Sequence, residues 1–153
     1  MSEATHQPES WATVLSPEEI GRREPVWQAL SELFVDTELD ENDLRSIART
    51  LRSSGHSNNQ LDAILRDEVL PVFFPNLSSV TGNWTGWDRG TVRDFVLAQL
   101  SRDARSPRSL VPKRWWRAWK MRTVKDGWIG IQALLARSDD ALEPIPAPES
   151  SPN

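Results

Sequence analysis

The chain has 153 residues, a net charge of −4 and no cysteine, and its length suits one domain with a single hydrophobic core. The lack of cysteine excludes disulfides, thiolate nucleophiles and cysteine-based zinc sites, and it suits a reducing compartment. The N-terminus lacks a secretory signal, and the longest apolar run, residues 69–75, contains prolines and is too short to cross a bilayer. We therefore expect a cytoplasmic protein that does not enter a membrane.

Apolar residues at spacings of three and four predict two helices in the first third of the chain. The first covers residues 24–36, with Pro25 at its first position, where a missing N–H costs nothing. The second has Asp40 as its N-cap and Gly55 as its C-terminal glycine. The residues predicted to face the core are Val26, Trp27, Leu30, Leu33 and Phe34 in the first helix, and Leu44, Ile47, Ala48 and Leu51 in the second.

A third helix is predicted over residues 57–70, where Ser57 and Gln60 have the spacing of a capping box. Pro71 is expected to kink or end it. The predicted inward residues are Leu61, Ile64, Leu65 and Val69. With the second helix it has the dimensions of a helix-turn-helix, but its net charge of −2 opposes contact with phosphates. His56, beside the cap, is interpreted as a turn residue.

Residues 73–87 are rich in glycine, proline and asparagine, which predicts a turn-rich connection. Its two tryptophans, Trp84 and Trp87, are expected to fold back onto the core. Asp88 is the predicted N-cap of the next helix, and residues 106–112 are a predicted break. The side chains of this helix predicted to face the core are Val92, Phe95, Val96 and Leu100.

Residues 101–125 form a strongly basic segment, with nine cations against one anion, whereas residues 1–100 carry eight cations against 16 anions. On a helical wheel, Trp115, Trp116 and Trp119 fall on one side of residues 113–125. This segregation predicts a buried tryptophan face and an outward basic face. A helix break is predicted at Gly127, followed by a last helix with Trp128, Ile131 and Leu135 facing inward. The candidate anion-binding residues are Lys113, Arg114, Arg117, Lys120 and Arg122.

Chemical motifs are missing from this sequence, which therefore predicts no catalytic residue, no metal site and no cofactor. The acidic run 36–44 has the charge of a calcium loop but has Glu41 where the loop needs glycine and Ile47 where it needs glutamate. Adjacent Asp67 and Glu68 should point to different sides of a helix, which is wrong for a paired acid and base. We expect a protein that is not an enzyme.

Three blocks of sequence, "VWQALSELFVDTELDENDLRSIARTL", "SGHSNNQLDAILRDEVLPVF" and "NLSSVTGNWTGW", resemble a family of small uncharacterised bacterial proteins, a domain of unknown function. The resemblance covers about residues 22–100 and depends on the order of the blocks. It implies a compact helical domain without an established activity, and it assigns no functional residues. The basic segment and the tail lie outside the resemblance.

The predicted fold is all-α, a single domain of five or six helices in an irregular, orthogonal-type bundle. The domain is expected to span residues 16–137, with 22–100 as the family-like core and 101–137 as basic C-terminal helices. Residues 1–15 and the proline-rich tail 138–153 are expected to be disordered.

Function is predicted from charge, size and the lack of catalytic motifs. We expect an adaptor or immunity-type protein that binds another protein, such as a basic toxin, by charge complementarity. The binding surface, called here the acidic surface, comprises Asp36, Glu38, Asp40, Glu41 and Asp43. The alternative is a nucleic-acid-associated protein that binds phosphates through residues 102–125. A membrane surface is the weakest reading of the basic helix, because its apolar face is short.

Overall fold

The computed structural model describes residues 15–35, 38–77, 87–105, 113–137 and 142–146. These residues are all-α, as the sequence predicts, and contain no strand. The helices are α1 (Pro17–Ser31, followed by a 3-10 turn, Glu32–Phe34), α2 (Glu41–Ser53), α3 (Asn58–Ile64, followed by a π-helical segment, Leu65–Val69), α4 (Leu70–Leu77), α5 (Arg89–Arg105) and α6 (Lys113–Leu135).

Helix α1 begins eight residues before the predicted position. Ser16 and Glu19 form a capping box, in which each side chain accepts a hydrogen bond from the other residue's backbone N–H. Pro17 takes the first helical position, and Pro25 lies inside the helix. The predicted start at Pro25 is therefore wrong, because a cap with a proline behind it occurs upstream. The predicted caps at Asp40, Ser57 and Asp88 are confirmed by their side-chain hydrogen bonds.

Helical structure does not end at Pro71. The N–H of Leu70 donates to the carbonyl of Leu65, five residues back, so the backbone widens into π-helical turns directly before the proline. Helix α4 then continues to Leu77. The expectation that residues 73–77 belong to a turn-rich connection is wrong, while residues 78–86, with Trp84, lie outside the described residues.

The core lies where α1 and α2 meet α5, α6 and the π-helical segment. Trp87 packs against it as predicted, with its ring centroid 4.7 Å from that of Phe73. Val92 and Val96 of α5 are buried, but Phe95 is 48% exposed. The prediction that Phe95 faces inward is wrong, because the buried face of α5 passes through Val92, Val96 and Leu97 and leaves Phe95 beside it.

Helix α6 runs through Gly127 without interruption, so the predicted break is wrong. A Cβ at Gly127 would lie 3.1 Å from Leu33 Cδ2, which means that the glycine permits close packing of α6 on the 3-10 turn. The buried stripe of α6 is Lys120, Val124, Trp128, Ile131 and Leu134. These spacings of three and four form one continuous helical face.

Two residues of α6 lie on the side of the helix opposite to the one predicted. Trp119 is 62% exposed, although it was expected to be buried, and Lys120 is only 6% exposed, although it was expected on the outer basic face. The Lys120 ammonium lies 4.6 Å from the ring centroid of Phe74. The side chains of Lys113, Arg114, Trp115, Trp116 and Arg117 lie outside the described residues.

Residues 142–146 lie against α2. Leu142 is buried, although the tail was expected to bury almost nothing, and the N–H of Ile145 donates to Asn42 Oδ1 at 2.9 Å. Arg45 Nη1 donates to the carbonyl of Glu143 at 3.3 Å. These contacts place residues 142–146 beside the N-terminal half of α2.

Candidate functional site

A cleft of about 240 Å³ separates the first half of α1 from α3 and the π-helical segment. One wall comes from α1 and the other from the turn before α3 and from α3 itself. It is lined by Glu19, Arg22, Arg23, His56, Gln60, Ala63, Ile64, Asp67 and Glu68. A cleft that holds titratable groups with shifted pKa values is a candidate functional site.

Glu68 is the buried carboxylate of this cleft. Its Oε2 accepts a hydrogen bond from Trp27 Nε1 at 2.6 Å, and its Oε1 forms an ion pair with Arg23 Nη1. Burial raises the pKa of Glu68, against the lowering effects of the Trp27 hydrogen bond and the Arg23 charge, while Asp67 raises it further. Both carboxylate oxygens of Glu68 therefore contact side chains of α1, and these contacts hold Glu68 in place at the base of the cleft.

The π-helical segment places Asp67 and Glu68 in different environments. Glu68 is buried and Asp67 is half-buried, where it contacts Arg66 at 3.4 Å. π-helical turns are rare in proteins as a whole, and those that occur are often found at functional sites. The sequence argument that adjacent acids point to different sides is correct for their burial, yet both residues line the same cleft.

His56 contributes an imidazole whose two nitrogens differ. Nδ1 is enclosed and has no hydrogen-bond partner among the described residues. Burial lowers the pKa of His56, and the positive charges of Arg22 and Arg23 lower it further. A proton on Nδ1 would be a buried N–H without an acceptor. We therefore infer that the neutral tautomer with its proton on Nε2 predominates.

Four of the five residues of the acidic surface are among the described residues. Glu38, Asp40 and Glu41 are exposed, and Asp43 is half-buried, while Asp36 lies outside the described residues. Asp40 and Asp43 cap α2 reciprocally, with Asp43 N donating to Asp40 Oδ1 at 2.8 Å.

Two further carboxylates adjoin the acidic surface. Glu32 is half-buried, and its pKa is raised by burial and by the negative charge of Asp43. Residues 142–146 bring exposed Glu143 beside Arg45, which also pairs with Glu41 at 2.6 Å. Glu32 and Glu143 thus extend the set of carboxylates around the start of α2.

The predicted anion-binding residues do not form one described surface. Arg122 is exposed, but Lys120 is buried against Phe74. The pKa of Lys120 is lowered by burial. Lys120 is therefore removed from the outward basic face.

Sequence reasoning missed the cleft because its parts are distant in the chain. Arg23 and Trp27 contact Glu68 across 45 and 41 residues, respectively. One signal was present: Trp27 is a tryptophan at a core position, and a buried indole N–H needs an acceptor. No rule of spacing identifies Glu68 as that acceptor.

The fold and the cleft together define a small all-α domain with a polar site between its first and third helices. The chain matches a family described as Domain of unknown function (DUF7079) over residues 21–134, and it belongs to that family. The match extends beyond the expected residue 100 and includes the whole basic segment, which was expected to lie outside the family. No curated protein and no solved structure matches the chain. Among the described residues, no helix is long and apolar enough to cross a membrane.

Proposed function

We propose that this protein works in the cytoplasm without catalysis, by binding a basic partner protein through the acidic surface, as an adaptor or as the immunity protein of a toxin. The observation that supports the proposal is that Glu38, Asp40 and Glu41 lie exposed at the start of α2, with Asp43 half-buried beside them. Clustered carboxylates attract a partner that carries lysines and arginines at the matching positions.

An apolar anchor adjoins these charges. Ile145 is exposed, and its N–H donates to Asn42 in the first turn of α2, next to Glu41. Protein interfaces combine a desolvated apolar or aromatic centre with a polar rim. Ile145 with the surrounding acids has this arrangement, and it suits a partner that presents an apolar patch among lysines and arginines.

The test uses basic proteins encoded beside the gene, each mixed with the purified chain and measured by calorimetry. We expect one of them to bind, and the double variant Glu38→Gln, Glu41→Gln to weaken that binding by about tenfold, since each charge contributes modestly at an exposed rim. Neither residue accepts the capping hydrogen bond of α2, so the fold should persist. Asp94→Asn, an exposed acid of α5, is the matched control. Equal binding by the double variant and the wild type would remove the acidic surface from the interface.

A second function is favoured by the exposure of Trp119. The exposed indole lies one helical turn from Arg122, and single-stranded nucleic acids bind where aromatic rings and cations share a surface. Gel shifts with single-stranded DNA and RNA test this function. Binding that falls steeply between about 50 and 200 mM salt and disappears in Trp119→Ala would support it. Absence of a shift at about 50 mM salt, the condition that favours phosphate contacts, would exclude it.

A further inference from the structure

The cleft between α1 and α3 holds hydrogen-bond donors that the described part of the chain does not satisfy. Arg22 is exposed and pairs with no carboxylate among the described residues. Gln60 accepts from Ser57 N through Oε1 at 2.9 Å, which leaves its amide Nε2 available. His56 offers Nε2–H in the tautomer inferred above. These three donors line one cavity.

The lining of this cleft carries both signs of charge. Arg22 and Arg23 lie on α1, and Asp67 and Glu68 lie on the π-helical segment. Glu68 pairs with Arg23, and Asp67 is half-buried and contacts Arg66 at 3.4 Å. A cation on one wall and acids on the other are therefore available to a ligand that carries both charges.

We propose that the cleft binds a small zwitterion of the amino-acid type, with its carboxylate at Arg22, His56 and Gln60 and its ammonium group toward Asp67. A carboxylate accepts hydrogen bonds from all three donors, and an ammonium group donates to an acid. The volume of about 240 Å³ is below the range of about 300–1,000 Å³ found for drug-sized ligands, which limits the ligand to a small molecule.

The lining acids decide between a zwitterion and a simple anion. Arg23 pairs with Glu68, which leaves Arg22 among the lining cations to face Glu19 and Asp67, and Asp67 also contacts Arg66. A simple anion meets repulsion from these acids, and a simple cation meets repulsion from Arg22. A ligand that carries both charges, separated by a few ångströms, is attracted at each end.

The direct test is proton NMR of the histidine ring during titration with each of the twenty free amino acids. The chain has two histidines, so a His56→Asn variant assigns the His56 resonances. We expect at least one amino acid to shift them saturably and to raise the pKa of His56, since a bound carboxylate favours the protonated ring. No saturable shift with any of the twenty at 10 mM, a concentration on the order of a weak millimolar affinity, would overturn the proposal.

Derivatives of the best-bound amino acid test each end of the ligand. The N-acetyl form lacks the ammonium charge and the amide form lacks the carboxylate, and each should bind about tenfold more weakly, as loss of one charge-assisted hydrogen bond predicts. Inorganic phosphate should also bind more weakly than the free amino acid. Equal binding of phosphate or of the N-acetyl form would replace the zwitterion with a simple oxyanion and overturn the proposed class.

Variants then locate the site within the chain. Arg22→Gln should weaken binding about tenfold, and so should Gln60→Glu, which keeps the oxygen that caps α3 but replaces the donor with a negative charge. Arg49→Gln, an exposed arginine of α2 outside the cleft, is the matched control and should bind as the wild type does. Binding that survives Arg22→Gln would overturn the assignment. The acidic surface lies at the other end of α2, about 20 Å from His56 by helix length, so its test is independent.

Discussion

At the scale of single residues, the clearest contrast is between two tryptophans of α6. Trp128 is 4% exposed, and its Nε1 donates to Asp62 at 3.1 Å, whereas Trp119 is exposed on the other side of the helix. We expect Trp128→Ala to lower the free energy of unfolding by about 3–5 kcal/mol, through lost burial and a cavity. Trp119→Ala should cost less than about 1 kcal/mol, as exposed substitutions usually do.

Urea denaturation of the two variants measures this difference. The sequence alone predicts a large loss for Trp119, since the wheel of residues 113–125 puts it on the inner face. Equal losses of stability in Trp119→Ala and Trp128→Ala would support the burial of Trp119 on the inner face. Such a result would also contradict the continuous buried stripe that passes through Gly127.

The free energy of unfolding should depend on pH through the titration of Glu68. Its pKa is raised in the folded protein, so the folded state binds this proton more tightly than the unfolded state does. The associated stability is fully present below the unfolded pKa, near 4.5, and is lost as pH rises through the higher folded pKa. Glu68→Gln cannot titrate and should escape this loss.

The measurement is the free energy of unfolding of both proteins between pH 4 and pH 8. The ion pair with Arg23 exists only where Glu68 is ionised, and its attraction is already contained in the folded pKa, so it adds no separate slope. The difference, variant minus wild type, should rise with pH above about 4.5, as linkage requires. Parallel curves would mean that burial does not perturb the Glu68 carboxyl.

At the scale of elements, caps were predictable and interruptions were not. Asp40, Ser57 and Asp88 each have a side-chain oxygen that satisfies a free N–H of the next helix, a local property that depends on neighbouring residues alone. Pro25 and Gly127 have two possible roles, at a helix end or within a helix. The role of Pro25 follows from the upstream cap at Ser16, a local signal that was missed, whereas the role of Gly127 depends on a distant contact with Leu33.

The candidate site was less predictable than the helices for the same reason. His56 was interpreted as a turn residue, and its backbone N–H does donate to Ser54 Oγ at 3.3 Å. Its position in a cleft depends on the packing of α1 against the π-helical segment, which no local pattern of residues specifies. The all-α class follows from periodicity, whereas the site follows from tertiary contacts.

Two glycines in contrasting backbone conformations give a prediction at this scale. Gly21 lies within α1, and no atom lies within 4 Å of the position that a Cβ would take, so Gly21→Ala should raise stability by about 0.5–1 kcal/mol. Gly55 has φ of +74°, and Gly55→Ala should lower stability by about 1 kcal/mol.

Thermal and urea denaturation of the two alanine variants give the comparison. Opposite signs are expected because one glycine occupies a right-handed helix and the other a left-handed turn. A loss of stability in Gly21→Ala would show that α1 does not begin at Pro17 in solution. It would favour the later start at Pro25.

At the scale of the whole molecule, the family match and the fold do not end at the same place. The match ends at residue 134, but Leu142 is buried beyond it, and Arg52 of α2 donates to the carbonyls of Leu135 and Arg137 at 2.9 and 2.6 Å. The end of α6 and residues 142–146 are thus held on α2. The same segment adds Glu143 to the neighbourhood of the acidic surface, so stability and the proposed binding both depend on it.

Substitution of Leu142 tests whether these residues belong to the domain. Leu142→Ala should lower the free energy of unfolding by about 2–5 kcal/mol, the usual cost of such a change in a core. Removal of residues 138–153 should cost at least as much, since it deletes the same side chain and the hydrogen bonds of Arg45 and Asn42. Ile145→Ala, at an exposed position of the same segment, is the matched control and should cost less than about 1 kcal/mol. A truncated chain as stable as the full chain would place the domain boundary at the end of α6, and the acidic surface would then consist of residues from α2 and its preceding loop alone.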